Sequence, residues 1–124
     1  MAYGFYDITL YYYNNDLNIA REFTKRQSEI SGKYVHLMNK YKPPKTTRIS
    51  VDLKDEDDVL FYTGSILCVE AEFNKSYYWS ISPSEQNIMI LETVHRIAIM
   101  CARKYSWDIP IFESAYKTLL AELS

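Results

Sequence analysis

Residues 48–81 read RISVDLKDEDDVLFYTGSILCVEAEFNKSYYWSI, and the alternation inside this stretch decides the fold class. Ile49, Val51 and Leu53 alternate with Arg48, Ser50 and Asp52, the period of a half-buried strand. The run Asp55-Glu56-Asp57-Asp58 makes a solvated turn into the apolar segment Val59 to Tyr62. Alternation resumes with Leu67, Val69, Ala71 and Phe73 on one face and Cys68, Glu70 and Glu72 on the other. Asn74-Lys75-Ser76 reads as a tight connection to Tyr77, Trp79 and Ile81, so the two runs are expected to form an antiparallel hairpin. Gly64, between the apolar runs, marks a bulge or a turn.

Outward from this stretch the periodicity changes. On its N-terminal side Tyr6, Ile8, Leu10 and Tyr12 alternate with Asp7, Thr9, Tyr11 and Tyr13, which predicts a first strand with aromatic residues on both faces. Asn14, Asn15 and Asp16 supply capping chemistry for a helix through Leu17, Ala20, Phe23, Thr24 and Gln27, and Gly32 is expected to break it. Tyr34, Leu37, Met38 and Tyr41 suit a second short helix, although Val35 and Leu37 also suit a strand, and Pro43-Pro44 closes the segment. On the C-terminal side Ser82-Pro83-Ser84-Glu85 is a capping box with proline at the first helical position. Ile88, Leu91, Val94, His95, Ala98, Cys101, Ala102 and Tyr105 then share a stripe that Met89, Ile90, Ile97 and Met100 widen, so this helix is expected to be central and largely buried. Asp108 can cap a last helix with Phe112, Ala115, Tyr116, Leu119, Leu120 and Leu123 on its apolar face. The expected order is β-α-(α)-β-β-β-α-α: one α+β domain over 1–124, an antiparallel sheet of about four strands with helices packed on one face.

A chain of 124 residues with 48% apolar content can bury one real core, and three glycines with four prolines leave little material for linkers. Cys68 and Cys101 each sit inside an apolar periodic segment, which predicts free structural thiols and a reducing, cytoplasmic setting. Met1-Ala2-Tyr3-Gly4 has no basic region, and no apolar stretch approaches the length of about 18 residues that spans a membrane.

The net charge of −2 hides two opposed blocks. Residues 21–48 carry eight basic side chains against two acidic ones, a net of +6, whereas 49–124 carry twelve acidic against six basic, a net of −6. Such a split makes a dipolar surface that can steer a charged partner or order copies of the chain itself.

No catalytic motif accompanies it. His95 and Cys101 lie six apart on a helix and do not align, two histidines and two cysteines offer no zinc spacing, and the Asp52 to Asp58 run lacks the glycine and terminal glutamate of a calcium loop. Glu70 and Glu72, about 7 Å apart along one strand face, match the separation of an acid and base pair, so a small hydrolase using them with His95 is one alternative. A second is nucleic-acid binding by Lys40, Lys42, Lys45 and Arg48 with Tyr41 stacking on a base, which the pI of 5.7 disfavours. No cofactor or metal is expected. The twelve tyrosines, including Tyr11-Tyr12-Tyr13 and Tyr77-Tyr78, exceed what a core needs, and exposed tyrosines mark contact surfaces. Tyr11, Tyr13, Tyr78, Glu70 and Glu72, with Asp55 and Asp57 in the adjoining turn, are therefore the expected partner-binding residues for a basic protein, with self-association also open.

In general layout, with a compact α+β domain, acid-rich strands and a final helix entered through Asp108-Ile109-Pro110-Ile111-Phe112, the chain resembles the small acidic immunity proteins that bacteria make against polymorphic toxins. The resemblance carries over no functional residue. It implies a cytoplasmic inhibitor that works by blocking a toxin's active site.

Overall fold

A computed structural model describes residues 5, 7–38 and 40–124; Tyr6 of the expected first strand and Met1 to Gly4 lie outside the described residues. The chain runs β1 (Asp7–Tyr11), α1 (Leu17–His36), β2 (Arg48–Lys54), β3 (Asp58–Thr63), β4 (Ile66–Glu72), α2 (Lys75–Ser80), α3 (Pro83–Tyr105) and α4 (Ile109–Leu123). The four strands form one sheet in the order β1-β2-β4-β3.

The sheet is mixed, which corrects the antiparallel expectation. β1 and β2 are parallel because the long helix α1 carries the chain back between them, and β4 is parallel to β2 because β3 turns outward before β4 inserts beside β2. Only β3 and β4 pair antiparallel. Burial explains this order. In β4 Leu67, Val69 and Ala71 are fully buried and even the opposite face is half-covered, whereas β3 leaves Leu60 and Phe61 exposed, so β4 takes the interior position and β3 the edge. Gly64, at φ +59°, turns the β3–β4 hairpin, and the bulge lies between Val59 and Phe61 instead.

Ile8 and Leu10 of β1, Ile49, Val51 and Leu53 of β2, and Leu67, Val69 and Ala71 of β4 point to one face, where α1 and α3 cover them. The predicted central helix is α3. Ser82 and Glu85 form the full capping box, and Ile90, Leu91, Val94, Ile97, Ala98, Cys101 and Ala102 are buried. Asp108 stands at the N-cap position of α4 without a side-chain capping bond, so the proline at its first turn carries that start.

Two local expectations fail. α1 continues through Gly32 to His36, because Ile30 and Tyr34 extend its buried stripe while Gly32 lies on the exposed side; of the expected second helix it takes in only Tyr34 to His36, and Leu37, Met38 and Tyr41 follow in turn and loop. A helical glycine costs only about 1 kcal/mol, less than burial of that stripe returns. The stretch Tyr77 to Ile81 is not a strand but belongs mainly to α2, whose N-cap Asn74 accepts from the Tyr77 N–H at 2.9 Å. Asn74 is capping chemistry, not a hairpin turn.

Helix α1 also closes one edge of the sheet. The Leu10 N–H donates to Gln27 Oε1 at 3.0 Å, the Ile8 N–H donates to Ser31 Oγ at 3.2 Å, and the Ser31 hydroxyl donates to the Ile8 carbonyl. Four helical residues rise about 6 Å and two strand residues span about 6.8 Å, so Gln27 and Ser31 match the spacing of Leu10 and Ile8 and stand in for a neighbouring strand.

Candidate functional site

The face of the sheet opposite the helices carries no covering element among the described residues, and the register arranges it in rows. Asp7, Arg48, Ile66 and Thr63 are aligned; then Thr9, Ser50, Cys68 and Phe61; then Tyr11, Asp52, Glu70 and Asp58. The first row is internally satisfied, with Arg48 Nε on Asp7 Oδ1 at 2.8 Å. The third is not. Asp52, Glu70 and Asp58 occupy adjacent strands about 4.8 Å apart, an arrangement whose like charges repel. Lys54 and Glu72 stand side by side just beyond it, and Tyr13, 66% exposed, reaches back to place its hydroxyl 3.5 Å from Asp52 Oδ1. The Asp52 charge raises the Tyr13 pKa above its usual value and keeps the phenol a donor.

The structure thus brings together Tyr11, Tyr13, Glu70 and Glu72 from the expected set, and adds Asp52, Asp58 and Phe61. Alternation alone could have found Asp52; Phe61 was hidden because the bulge shifts the parity of β3. Asp55 is exposed in the β2–β3 turn. Asp57 is committed internally: it takes Arg96 Nε at 2.8 Å and the Glu72 N–H at 2.7 Å, tying α3 to the end of the sheet.

Tyr78 is the clear correction. It is 0% exposed, among Phe23, Phe73 and Trp79 at ring separations of 5.3, 5.5 and 4.9 Å, because the helical turn of α2 reverses the parity that a strand would have had. It supports the core and cannot anchor a partner. Its hydroxyl is buried without a hydrogen-bond partner among the described residues, and burial pushes its pKa up to about 12. Tyr78→Phe is therefore expected to stabilise the domain by about 1–3 kcal/mol, the penalty of an unpaired polar group, whereas Tyr78→Ala costs about 3–5 kcal/mol in cavity and contacts. Thermal melts of both variants decide this, and a Tyr78→Phe variant that melts lower would show that the hydroxyl is paired.

The residues of both alternatives are dispersed. His95 lies in the helical layer, with Nδ1 2.8 Å from the Tyr34 hydroxyl and its ring stacked on Tyr116 at 4.2 Å, on the other side of the sheet from Glu70 and Glu72. Of the basic block, Arg26 is engaged by Asn87 and the Pro83 carbonyl and Arg48 by Asp7, and α1, about 30 Å long, separates Arg21 and Lys25 from Lys40 to Lys45. Tyr41 is half-buried, packed edge-on against Phe112 with its hydroxyl on the Asp108 N–H. No group of three or more metal-ligating side chains is present among the described residues. Cys68 and Cys101 are free thiols, and burial pushes Cys101 up to about 12. No helix among the described residues is long and apolar enough to cross a membrane.

His95 gives a pH dependence of defined sign. Burial lowers its pKa, against a smaller raising effect of Glu113, so as acid is added the unfolded chain takes up this proton first. Stability is complete above the unfolded value of about 6.5, falls as pH drops from there through the lower folded value, and levels off below it. Melts of wild type against His95→Gln over about pH 5–8 should show wild type losing more stability on acidification. A constant difference between the two would remove His95 as the source.

Comparison of the chain with protein-family models, with curated proteins and with solved structures returned no match.

Proposed function

We propose that this domain is a protein-binding module that docks a basic protein on the open face of its sheet. The observation that carries this reading is the row Tyr11, Asp52, Glu70 and Asp58, flanked by Tyr13, Phe61 and Glu72. Three carboxylates held on adjacent strands repel one another in the free domain, and a partner's lysines or arginines relieve that repulsion while its apolar groups meet the aromatic rings. Both free thiols suit a reducing compartment, and a cytoplasmic inhibitor that covers the active site of a basic toxin or enzyme is a function of this kind.

The test is capture from native lysate by the wild-type domain and by Asp52→Lys with Glu70→Lys. These are half-exposed face positions, so the variant should fold as wild type does. A basic protein retained by wild type, released by salt and lost in the variant supports the reading, and steering predicts that the loss is mainly in association rate. With that partner in hand, Tyr13→Ala should instead speed dissociation, by about 2 kcal/mol if Tyr13 is a hot spot. Identical capture by wild type and the charge-reversed variant would end the reading.

A further inference from the structure

Strand β3 is the one sheet edge that the described residues leave open, since Gln27 and Ser31 occupy the edge of β1. An unpaired edge ordinarily carries charge or is covered. β3 has a bulge, yet its middle exposes Leu60 at 40% and Phe61 at 58%. Its two ends are also oppositely charged. The start follows Asp55 and Glu56 and begins with Asp58, all exposed. Two cations, Lys45 and Lys104, stand near the far end. Thr46 Oγ1 meets the Tyr62 hydroxyl at 2.7 Å and thereby holds the exposed Lys45 beside that end, while Tyr105 packs on Tyr62 at 5.6 Å with Lys104 Nζ over its ring at 5.8 Å.

An edge strand that is acidic at one end, apolar in the middle and flanked by base at the other is complementary to itself turned end for end. We propose that the occupant of this edge is a second copy of the chain, paired antiparallel through β3 about a two-fold axis between Leu60 and Phe61. In that register Asp58 lies opposite Thr63 of the second copy, Leu60 opposite Phe61, and each acidic start faces the other copy's Lys45 and Lys104. The arrangement closes at two copies, because β1, the outer strand on each side, is already plugged, and it joins two four-stranded sheets into one. The assembly shares Asp58 and Phe61 with the proposed docking face, but it is read on the chain alone and can stand or fall without a basic partner.

Sedimentation of the full chain across a concentration series reads the proposal directly. Wild type should show a monomer–dimer equilibrium whose dissociation constant rises with salt. Asp55→Lys with Asp58→Lys, and separately Lys45→Glu with Lys104→Glu, should each raise that constant about tenfold or more, since each puts like charges at both contacts. Mixing the two variants should restore a dimer, because every contact in the mixed pair joins opposite charges. Leu60→Lys with Phe61→Lys, at exposed positions, should abolish dimers while leaving the monomer's melting cooperative. A wild type that stays monomeric, larger open-ended species, dimers indifferent to the substitutions, or charge variants that fail to pair on mixing would each overturn the proposal.

Discussion

Leu91→Asp leaves the chain without a cooperative melting transition. Leu91 is fully buried on α3, among Ile90, Val94 and the sheet residues Val69 and Leu67 of one continuous core. A carboxylate at this position has no cation to meet, since the nearest polar residues of α3 that face inward, Gln86 and Thr93, are neutral and already bonded to the Tyr78 and Met89 carbonyls. The loss combines removal of a large apolar side chain with burial of an unpaired charge, more than about 4–5 kcal/mol, against a total stability of about 5–15 kcal/mol for a domain. Far- and near-ultraviolet circular dichroism with heating gives the answer. A soluble variant with a sharp transition would place Leu91 outside the core.

Gln27→Ala combined with Ser31→Ala is the second large effect, although it removes few atoms. The Ile8 and Leu10 N–H groups lie at a strand edge sealed under α1, and these two side chains are their partners. Leaving a buried donor unpaired costs about 1–3 kcal/mol, so the double variant should lose several, unless water enters the gap. Hydrogen exchange separates the two cases. The Ile8 and Leu10 amides should lose protection far more than those of β4, whose partners on β2 and β3 are untouched; equal protection across the sheet would show that α1 does not serve as the edge.

Local signals reach the first of these sites and not the second. The core of α3 could be read from the chain because a capping box and a stripe repeating about every 3.6 residues are short-range features, legible without a partner. Gln27 and Ser31 could not be read that way. A glutamine and a serine on a helix look like surface residues until a strand edge is placed against them.

The candidate surface divides the same way. Tyr11, Glu70 and Glu72 follow from period-two alternation, which assigns them to the face opposite Leu10, Val69 and Ala71 wherever those strands pair. Tyr78 failed because Lys75 to Ser80 is too short to show a period, and its six residues satisfy a strand or a helix equally well. The aromatic cavity formed by Phe23 and Phe73 decides between them by taking Tyr78 inward.

By itself, then, the sequence determined two half-buried strands at β2 and β4, the acidic turn between β2 and β3, the start and buried face of α3, and the opposition of a basic and an acidic block. Each rests on neighbours within a few residues. Only the tertiary structure decided that β4 lies between β2 and β3 in a mixed sheet, that α1 runs through Gly32, that Tyr78 is core and that β3 is the open edge. Those outcomes depend on which strand buries most apolar surface once both sides are available, a comparison among segments far apart in the chain that no local pattern contains.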